Sequence, residues 1–496
     1  MKQPELMLIT PPYHCGVVEV AGRWVPLNLL YIASAARKAG VEPRLYDAMS
    51  LFTGWDEIRR ELREHRPKYV ASYAITATID TCMKLAEVVK EELPESLYIL
   101  GGVHPTFMWN DIVGDPESPV DIVVRGEGER TVEELLRTLE AGGDLADVPG
   151  LAVKNGSGDP LVTSPRPFMT DLEEYKAAFD ILNWDTYRYF AVPNGRLGAV
   201  STSRGCNYTC TFCSQQQFWD RSWRAREPEA IAEEIRMQHD DHGVNVILFT
   251  DEYPTKHQAR WEELLDRIIA MDLDMLFLME TRAVDIVRDE AILPKYRKAG
   301  IVHIYVGLEA TDQKTLDKIN KNSTVEDGRK SLELIREHGM LSETSFVLGF
   351  PDETEEHVRE TLEMSRYINP DMAHYLAITP WPYSALHEEC KDHIAVHDYS
   401  KYNLIEPIIK PEGMSLRDID AAIIRCYKDF YMPKMADFLK YPDQFRRDYM
   451  LQSMRLIMKS SFIVEKLGRL GIPEAMQKII CAAARKSRQN DSSESA

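Results

Sequence analysis

Cys206, Cys210 and Cys213 lie in the run Arg204-Gly205-Cys206-Asn207-Tyr208-Thr209-Cys210-Thr211-Phe212-Cys213, spaced C-x3-C-x2-C. Three thiolates held this close can ligate three irons of a [4Fe–4S] cubane and leave the fourth iron open to an outside ligand. A cluster that only carries electrons is normally closed by a fourth cysteine, so an open iron points to chemistry performed on that ligand. Zinc is the competing metal, but it usually takes a fourth Cys or His at finger or ribbon spacing, and the segment contains no histidine. The spacing favours the cluster. Cys15, Cys82, Cys390, Cys426 and Cys481 are scattered, and eight cysteines in 496 residues are too few for a disulfide framework.

The thiols directly follow a predicted strand, Ala199–Ser203, which opens an alternating series. A helix over Pro228–His242, a strand Val246–Thr250, a helix Gln258–Met271, a strand Met275–Glu280 and a helix Glu290–Ala299 come next. A strand Ile304–Leu308, a helix Val325–His338, a strand Thr344–Gly349, a helix Glu355–Tyr367 and a strand Met372–Thr379 complete it. Repeated βα units of this number predict a partial (βα)6 parallel barrel, whose chemistry sits in loops at the carboxyl ends of the strands.

An earlier series places apolar runs at Leu6–Thr10, Pro43–Asp47, Tyr69–Ser72, Tyr98–Leu100 and Asp121–Val124, alternating with helical stretches such as Trp55–His65 and Thr81–Glu92. The alternation predicts an α/β domain with a parallel sheet, its ligand-binding residues just after the strands. Between about Gly142 and Asn194 prolines and glycines interrupt the pattern, which reads as a linker with a small hairpin around Leu151–Val162. From about Met414 helices dominate, with Leu416–Tyr431 expected to end at Pro433 and a second helix over Asp448–Leu467. Trp381-Pro382-Tyr383 and Tyr427–Met435 have two readings, the lining of an apolar macrocycle pocket and, favoured for most of them, packing core of this cap. Lys486–Ala496 is polar and reads as disordered. The predicted division is therefore 1–141, 142–194, 195–395, 396–485 and 486–496.

A composition of 44% hydrophobic and 28% charged residues fits a globular protein, and the net charge of −20 argues against nucleic acid as a partner. The apolar run Leu6–Ile9 is too short for a signal-peptide core, and no stretch reaches the roughly 20 apolar residues of a membrane span. A cytoplasmic protein with no integral membrane segment is expected.

The cysteine segment resembles the signature of the radical S-adenosylmethionine (SAM) superfamily. In that family the amino and carboxylate groups of SAM chelate the open iron, and an electron from the cluster cleaves the sulfonium to a 5′-deoxyadenosyl radical. The resemblance implies SAM contacts at later strand ends. Asp251 and Glu252 stand where the family often has Gly-Gly-Glu near the methionine amine, and an acidic pair suits an ammonium group. Glu280 and Arg282, then Gly307 and Glu309, resemble ribose and carboxylate contacts, while Val347 and Gly349 resemble the strand that packs on adenine. Phe212, tethered between the last two thiols, is read with the same site.

Two further runs, Leu100-Gly101-Gly102-Val103-His104-Pro105-Thr106 and Val124-Arg125-Gly126-Glu127-Gly128-Glu129-Arg130-Thr131, resemble the cobalamin-binding branch of the superfamily. This implies a Rossmann-like (flavodoxin-like) N-terminal domain that takes cobalamin against Pro12, Asp47, Thr76, Thr78, Gly101, Gly102, His104, Gly126, Glu127 and Gly128. Glycines there let the backbone approach a large macrocycle. The Asp-x-His-x-x-Gly element that gives a histidine to cobalt in other methyl transferases is absent, so the resemblance implies cobalamin with no protein ligand to cobalt. His14 and His104 are not assigned that role.

Ala74-Ile75-Thr76, His104-Pro105-Thr106-Phe107-Met108, Ser214-Gln215-Gln216-Gln217-Phe218-Trp219 and Asp251-Glu252-Tyr253-Pro254-Thr255 are similar to the anaerobic magnesium-protoporphyrin IX monomethyl ester oxidative cyclases. That implies attack on an unactivated C–H bond of an apolar, tetrapyrrole-like substrate, oxygen insertion from water, and a reductant such as flavodoxin or ferredoxin. A cobalamin-dependent methylase acting on a tetrapyrrole, a hopanoid or another apolar metabolite would use the same cofactors. A sensor that binds cluster and SAM without turnover is the alternative from a different class.

Overall fold

The structure, a computed structural model, describes residues 5–14, 18–156, 158–459 and 466. Five apolar runs too short for helices form the parallel core of a first sheet. These are β1 (Leu6–Thr10), β2 (Pro43–Asp47), β3 (Tyr69–Tyr73), β4 (Leu97–Gly101) and β5 (Ile122–Val124), ordered β2-β1-β3-β4-β5 with every neighbouring pair parallel. This is the flavodoxin-like order, whose switch point between β1 and β3 is where such sheets bind ligands. Alternate strand residues bury on opposite faces. Met7, Ile9 and Val70 pack with Leu85 and Val89 of the helix Ile79–Glu92. Leu6, Leu8 and Tyr69 pack with Leu29 and Leu135 of the helices Leu27–Lys38 and Glu129–Ala141.

The predicted linker is more than a spacer. β6 (Leu151–Val153) pairs antiparallel with β5, and β7 (Leu161–Val162) with β6, so the hairpin extends the first sheet to seven strands. Tyr175, Phe179, Trp184 and Tyr187 further along are buried in the core of the second half. Large aromatic side chains anchor this segment where its prolines and glycines deny it regular structure.

β8 (Arg188–Tyr189) is an antiparallel edge on β9 (Gly195–Val200). The predicted strand Ala199–Ser203 resolves into β9 and, after a turn, β10 (Ser203–Arg204), which forms a two-stranded ribbon with β11 (Arg224–Ala225). β12 (Val246–Phe249), β13 (Leu276–Thr281), β14 (Ile301–Val306), β15 (Leu341–Leu348) and β16 (Met372–Ala377) complete an open sheet ordered β16-β15-β14-β13-β12-β9-β8. Its six parallel strands make the predicted partial barrel. The helices Pro228–His242 and Gln258–Met271 form as predicted. The helix predicted over Glu290–Ala299 is instead a 3-10 turn at Glu290–Ile292 followed by Leu293–Lys298, with Pro294 in the first turn, where its missing N–H costs nothing.

Pro433 does not end its helix, which runs over Leu416–Phe438. The Tyr431 hydroxyl accepts from Ala373 N (2.9 Å) and donates to Ala373 O (3.0 Å), and Phe430 and Phe438 are buried. Tertiary anchoring of this kind outweighs the roughly 3 kcal/mol cost of an interior proline. The last described helix is Gln444–Lys459; the predicted helical residues beyond it up to Leu467, except Lys466, and the predicted tail Lys486–Ala496 lie outside the described residues. Among the described residues no helix is long and apolar enough to cross a membrane.

Gly102 turns the chain from β4 into the helix Val103–Val113 at φ +109, where a Cβ would stand 2.5 Å from Ala74 O. Gly102→Ala is expected to destabilise the apoprotein by about 2–3 kcal/mol. Gly126→Ala, at φ +77 with no atom within 4 Å of the added Cβ, should cost only about 1 kcal/mol. Denaturant unfolding of both variants checks the difference.

Candidate functional site

The cysteine loop leaves β10 through Gly205, at φ +91, where any side chain would collide with Ser222 O and Trp219. Cys210 is buried, and Cys206 and Cys213 are half-buried. Barrel segments pin the loop from outside. Thr211 N donates to Ile319 O (3.1 Å), Leu386 N to Thr211 O (3.2 Å) and Asn320 Nδ2 to Thr209 O (3.1 Å). The Arg282 guanidinium lies 3.4 Å from the centre of the Tyr208 ring. Burial pushes the Cys206 thiol up, and the Cys213 thiol up to about 12. Thiols held in this way ionise at neutral pH when a metal replaces the proton. Three sulfur donors on one pinned loop fit a [4Fe–4S] cluster with one open iron.

Carboxylates gather at the neighbouring strand ends. Glu280, in β13, is surrounded by protein yet keeps an open surface, as befits a side chain facing the hollow of the barrel. Lost hydration, then the negative charges of Glu252, Glu343, Asp251 and Glu309, push its carboxyl up to about 7. A cationic ligand relieves that repulsion, and SAM carries both a sulfonium and an ammonium. Glu252 accepts from Gly205 N (3.2 Å) and Trp219 Nε1 (3.0 Å) and still lines the cavity between the two sheets.

Asp251 does not share this role. It is buried, and its carboxylate accepts from Thr202 N (2.9 Å), Thr202 Oγ1 (2.8 Å) and Ser203 Oγ. All its capacity goes to fastening the end of β12 to the β9–β10 turn, so the expected acidic pair is a single acid, Glu252. Arg282 donates from Nη2 to Lys321 O and Asn322 O (3.2 Å) and covers Tyr208, while its buried Nε has no hydrogen-bond partner among the described residues.

Glu309, at φ +69, takes Lys321 Nζ at 2.9 Å on one oxygen and Ser345 Oγ at 3.3 Å on the other. A Cβ on Gly307 would lie 2.6 Å from Glu309 Oε1, so the glycine makes room for this pair. Val347 N donates to Glu309 O (2.9 Å) and Gly349 N to Glu353 Oε2 (2.9 Å). Phe212 and Val347 pack against the cluster of Ile378, Leu386 and Tyr402.

Sequence reasoning missed the barrel interior. His303 Nε2 lies 2.9 Å from Glu343 Oε2, His374 Nε2 bonds the other Glu343 oxygen, and His303 Nδ1 bonds the Tyr449 hydroxyl at 2.8 Å. Burial opposes ionisation of Glu343, but His303 and His374 overcome it and hold the carboxyl well below its usual range. Burial alone would lower His374, and the Glu343 charge and hydrogen bond raise it on balance. The available signal was two-residue alternation: His303 and Tyr305, then Glu343 and Ser345, are polar residues two apart in apolar strands.

A cavity of about 460 Å³ separates the carboxyl ends of the two sheets. Gly101, Gly102, Gly126, Glu127 and Gly128 line it from one side, and Arg204, Phe218, Trp219 and Glu252 from the other. Glycine walls at the carboxyl ends of β4 and β5 fit a large planar corrinoid. The other residues read as cobalamin contacts are not among its lining. Asp47 accepts from Thr10 Oγ1 (2.6 Å), Ser50 N (3.1 Å) and Tyr187 OH (3.1 Å), serving as a helix cap and a tie to the segment before β8. Thr78 Oγ1 bonds Ile75 N (3.1 Å) and O (3.2 Å), and Pro12 is half-buried beside Tyr13. His104 is buried and shares a 3.1 Å hydrogen bond with Thr76 Oγ1, which shares one of 3.0 Å with Tyr383 OH. Burial lowers His104 to about 4, so it stays neutral. Tyr383, read with the cap, instead reaches across to the first domain.

Residues 13–136 match the B12 binding domain and residues 200–365 the Radical SAM superfamily. The chain is 36% identical to the anaerobic magnesium-protoporphyrin IX monomethyl ester cyclase of Rubrivivax gelatinosus over 476 residues, 94% of this chain and 85% of that protein. The chain belongs to the cobalamin-binding radical SAM family. It is therefore a cobalamin-dependent radical SAM enzyme whose cofactors are a [4Fe–4S] cluster, SAM and cobalamin. Another member, the hopanoid C-3 methylase of Methylococcus capsulatus, is 27% identical and aligns with 83% of this chain and 78% of its own length. The fold is shared with the radical SAM methyltransferase TsrM from Kitasatospora setae, solved with cobalamin and a [4Fe–4S] cluster. There the TM-score is 0.68 at 17% identity, covering 99% of this chain and 100% of that one.

Replacing any one of Cys206, Cys210 or Cys213 by Ala should abolish the bound iron and its visible absorbance after anaerobic reconstitution. SAM affinity of the cluster-loaded protein is expected to rise up to about tenfold between pH 6 and pH 8 as Glu280 ionises; Glu280→Gln should remove that part of the slope in equilibrium binding. Glu343→Gln should cost about 3–5 kcal/mol by leaving buried partners unpaired. A lowered carboxyl stabilises the fold above its ordinary value of 4.5, and a raised imidazole does so below 6.5. The loss should therefore be largest between these values and shrink as the solution is made alkaline and His374 deprotonates, which unfolding curves across pH would test.

Proposed function

We propose that this enzyme functionalises an unactivated C–H bond of a tetrapyrrole-like substrate, in the manner of an anaerobic oxidative cyclase that inserts oxygen from water. The carrying observation is the 36% identity that spans 94% of the chain and includes both cofactor-binding regions. When bound, SAM and the cluster supply hydrogen-atom abstraction, which side chains alone lack, and cobalamin adds a cobalt centre.

The chain's own residues prepare the space. Phe218 and Trp219 line the cavity, with Phe107 stacked on Tyr383 at 4.8 Å and edge-on to Phe218 at 6.5 Å. Flat aromatic walls suit a flat macrocycle and exclude water around a reactive carbon. Glu252 and Glu280 hold negative charge where cationic SAM is read to bind, and an external reductant such as flavodoxin or ferredoxin would serve the cluster.

The 27% identity to a hopanoid C-3 methylase supports a second reading, C-methylation of an apolar metabolite. The decisive experiment incubates the reconstituted enzyme anaerobically with magnesium-protoporphyrin IX monomethyl ester, SAM and reductant in ¹⁸O-labelled water. The expected product carries one heavy oxygen and fewer hydrogens by mass spectrometry. A product heavier by one methylene and free of label would establish the methylase instead.

A further inference from the structure

The ribbon that leads into the cysteine loop carries two arginines directly opposite one another, Arg204 on β10 and Arg224 on β11. Both reach across to the turn after β5. Arg204 Nη1 donates to Glu127 Oε1 at 2.9 Å and Arg204 Nη2 contacts Glu129 Oε1 at 2.7 Å. Arg224 Nη1 meets both Glu127 oxygens, at 3.0 and 2.9 Å, and also donates to Met169 O at 2.6 Å. Met169 N closes the arrangement on Glu127 Oε2 at 2.9 Å. Aromatic faces shelter the cations, with Arg204 4.8 Å from the Tyr31 ring and Arg224 4.9 Å from Phe168. Glu127 and Glu129 are 7% and 5% exposed, so the two positive and two negative charges balance in a nearly dry space.

We propose that Glu127 and Glu129 are positioning residues that clamp the base of the cysteine loop to the cobalamin-binding domain and so fix how far the cluster stands from the corrinoid. Glu127 lines the cavity, but its carboxylate is fully taken by Arg204, Arg224 and Met169 and has nothing left for a ligand. Arg204 is separated from Cys206 by Gly205 alone, so a shift of the ion pair passes straight to the first thiol. The second arm of the ribbon is secured elsewhere: Arg226 pairs with Glu173 of the connector at 2.7 Å and with Glu234 of the helix Pro228–His242 at 2.8 Å. The clamp therefore ties the base of the cysteine loop itself to the first domain, whereas Tyr383, which bonds Thr76, makes its tie away from that loop. An error near 1 Å in such a placement can cost on the order of 100-fold in rate.

The inference rests on the cofactors and not on the substrate, so it can be tested without one. Holoenzyme is prepared as wild type, Glu127→Gln, Glu129→Gln and Arg204→Lys, and iron and corrinoid contents are measured. The magnetic coupling between the reduced cluster and cob(II)alamin is then recorded by pulsed electron paramagnetic resonance. Iron and corrinoid should stay near wild-type levels, because the three cysteines and the glycine wall are untouched, while the coupling weakens or broadens in all three variants. Glu129→Gln removes a single contact and serves if Glu127→Gln does not fold. Coupling indistinguishable from wild type in the folded variants would overturn the proposal, as would loss of iron with the coupling of the remaining holoenzyme unchanged.

Discussion

Two open sheets present the carboxyl-terminal edges of their parallel strands to each other across one cavity, and buried ion pairs cross from one edge to the other beside it. Strand ends are where open α/β sheets bind ligands, so placing two such edges face to face brings two cofactor-binding regions into one space. Apolar packing holds each sheet to its helices, and one core also joins Leu27, Leu30 and Tyr31 of the first domain to the barrel. Across the gap polar contacts, Arg204 and Arg224 on Glu127 and Thr76 on Tyr383, stand beside the aromatic contacts of Phe107 with Tyr383 and Phe218. Directional bonds suit this role because hydrophobic contact alone fixes separation poorly.

The same economy governs charge inside the barrel. Glu252, Glu280 and Glu309 concentrate negative potential near the cysteine loop, and only Glu309 has a cation beside it, Lys321 at 2.9 Å. Deeper in, Glu343 is fully matched by two imidazoles. The mouth of the barrel is thus left short of positive charge while its floor is balanced, so a cationic ligand is drawn to the mouth. Asp251 holds the β9–β10 turn, and Arg282 covers Tyr208 of the cysteine loop.

Much of this was legible in the sequence because local pattern and global fold agree. The helices at Pro228–His242 and Gln258–Met271, and β1 and β2, fall where periodicity puts them. The cysteine spacing and the glycine turns carry their chemistry in a few consecutive residues. What escaped depends on partners far away in sequence. Nothing near Pro433 reveals that Tyr431 is tied to Ala373, and nothing near Glu127 announces Arg204 and Arg224. Strand-end residues were assigned to ligands by position, yet Asp47 and His104 are turned toward the protein by Thr10, Tyr187 and Thr76. Position along a strand identifies an edge; only the tertiary contacts decide which side chains are free to use it.

The Tyr449 hydroxyl that bonds His303 belongs to the helix Gln444–Lys459 and lies 146 residues later in the chain. It also bonds the Tyr189 hydroxyl, so one residue of this helix caps groups from β14 and β8 together. The polar groups on the barrel floor thus find this partner only once the chain has run through the whole βα series to the helix Gln444–Lys459. Closing that floor is a long-range event, whereas β1 to β7 of the first sheet find one another within a single earlier stretch of sequence.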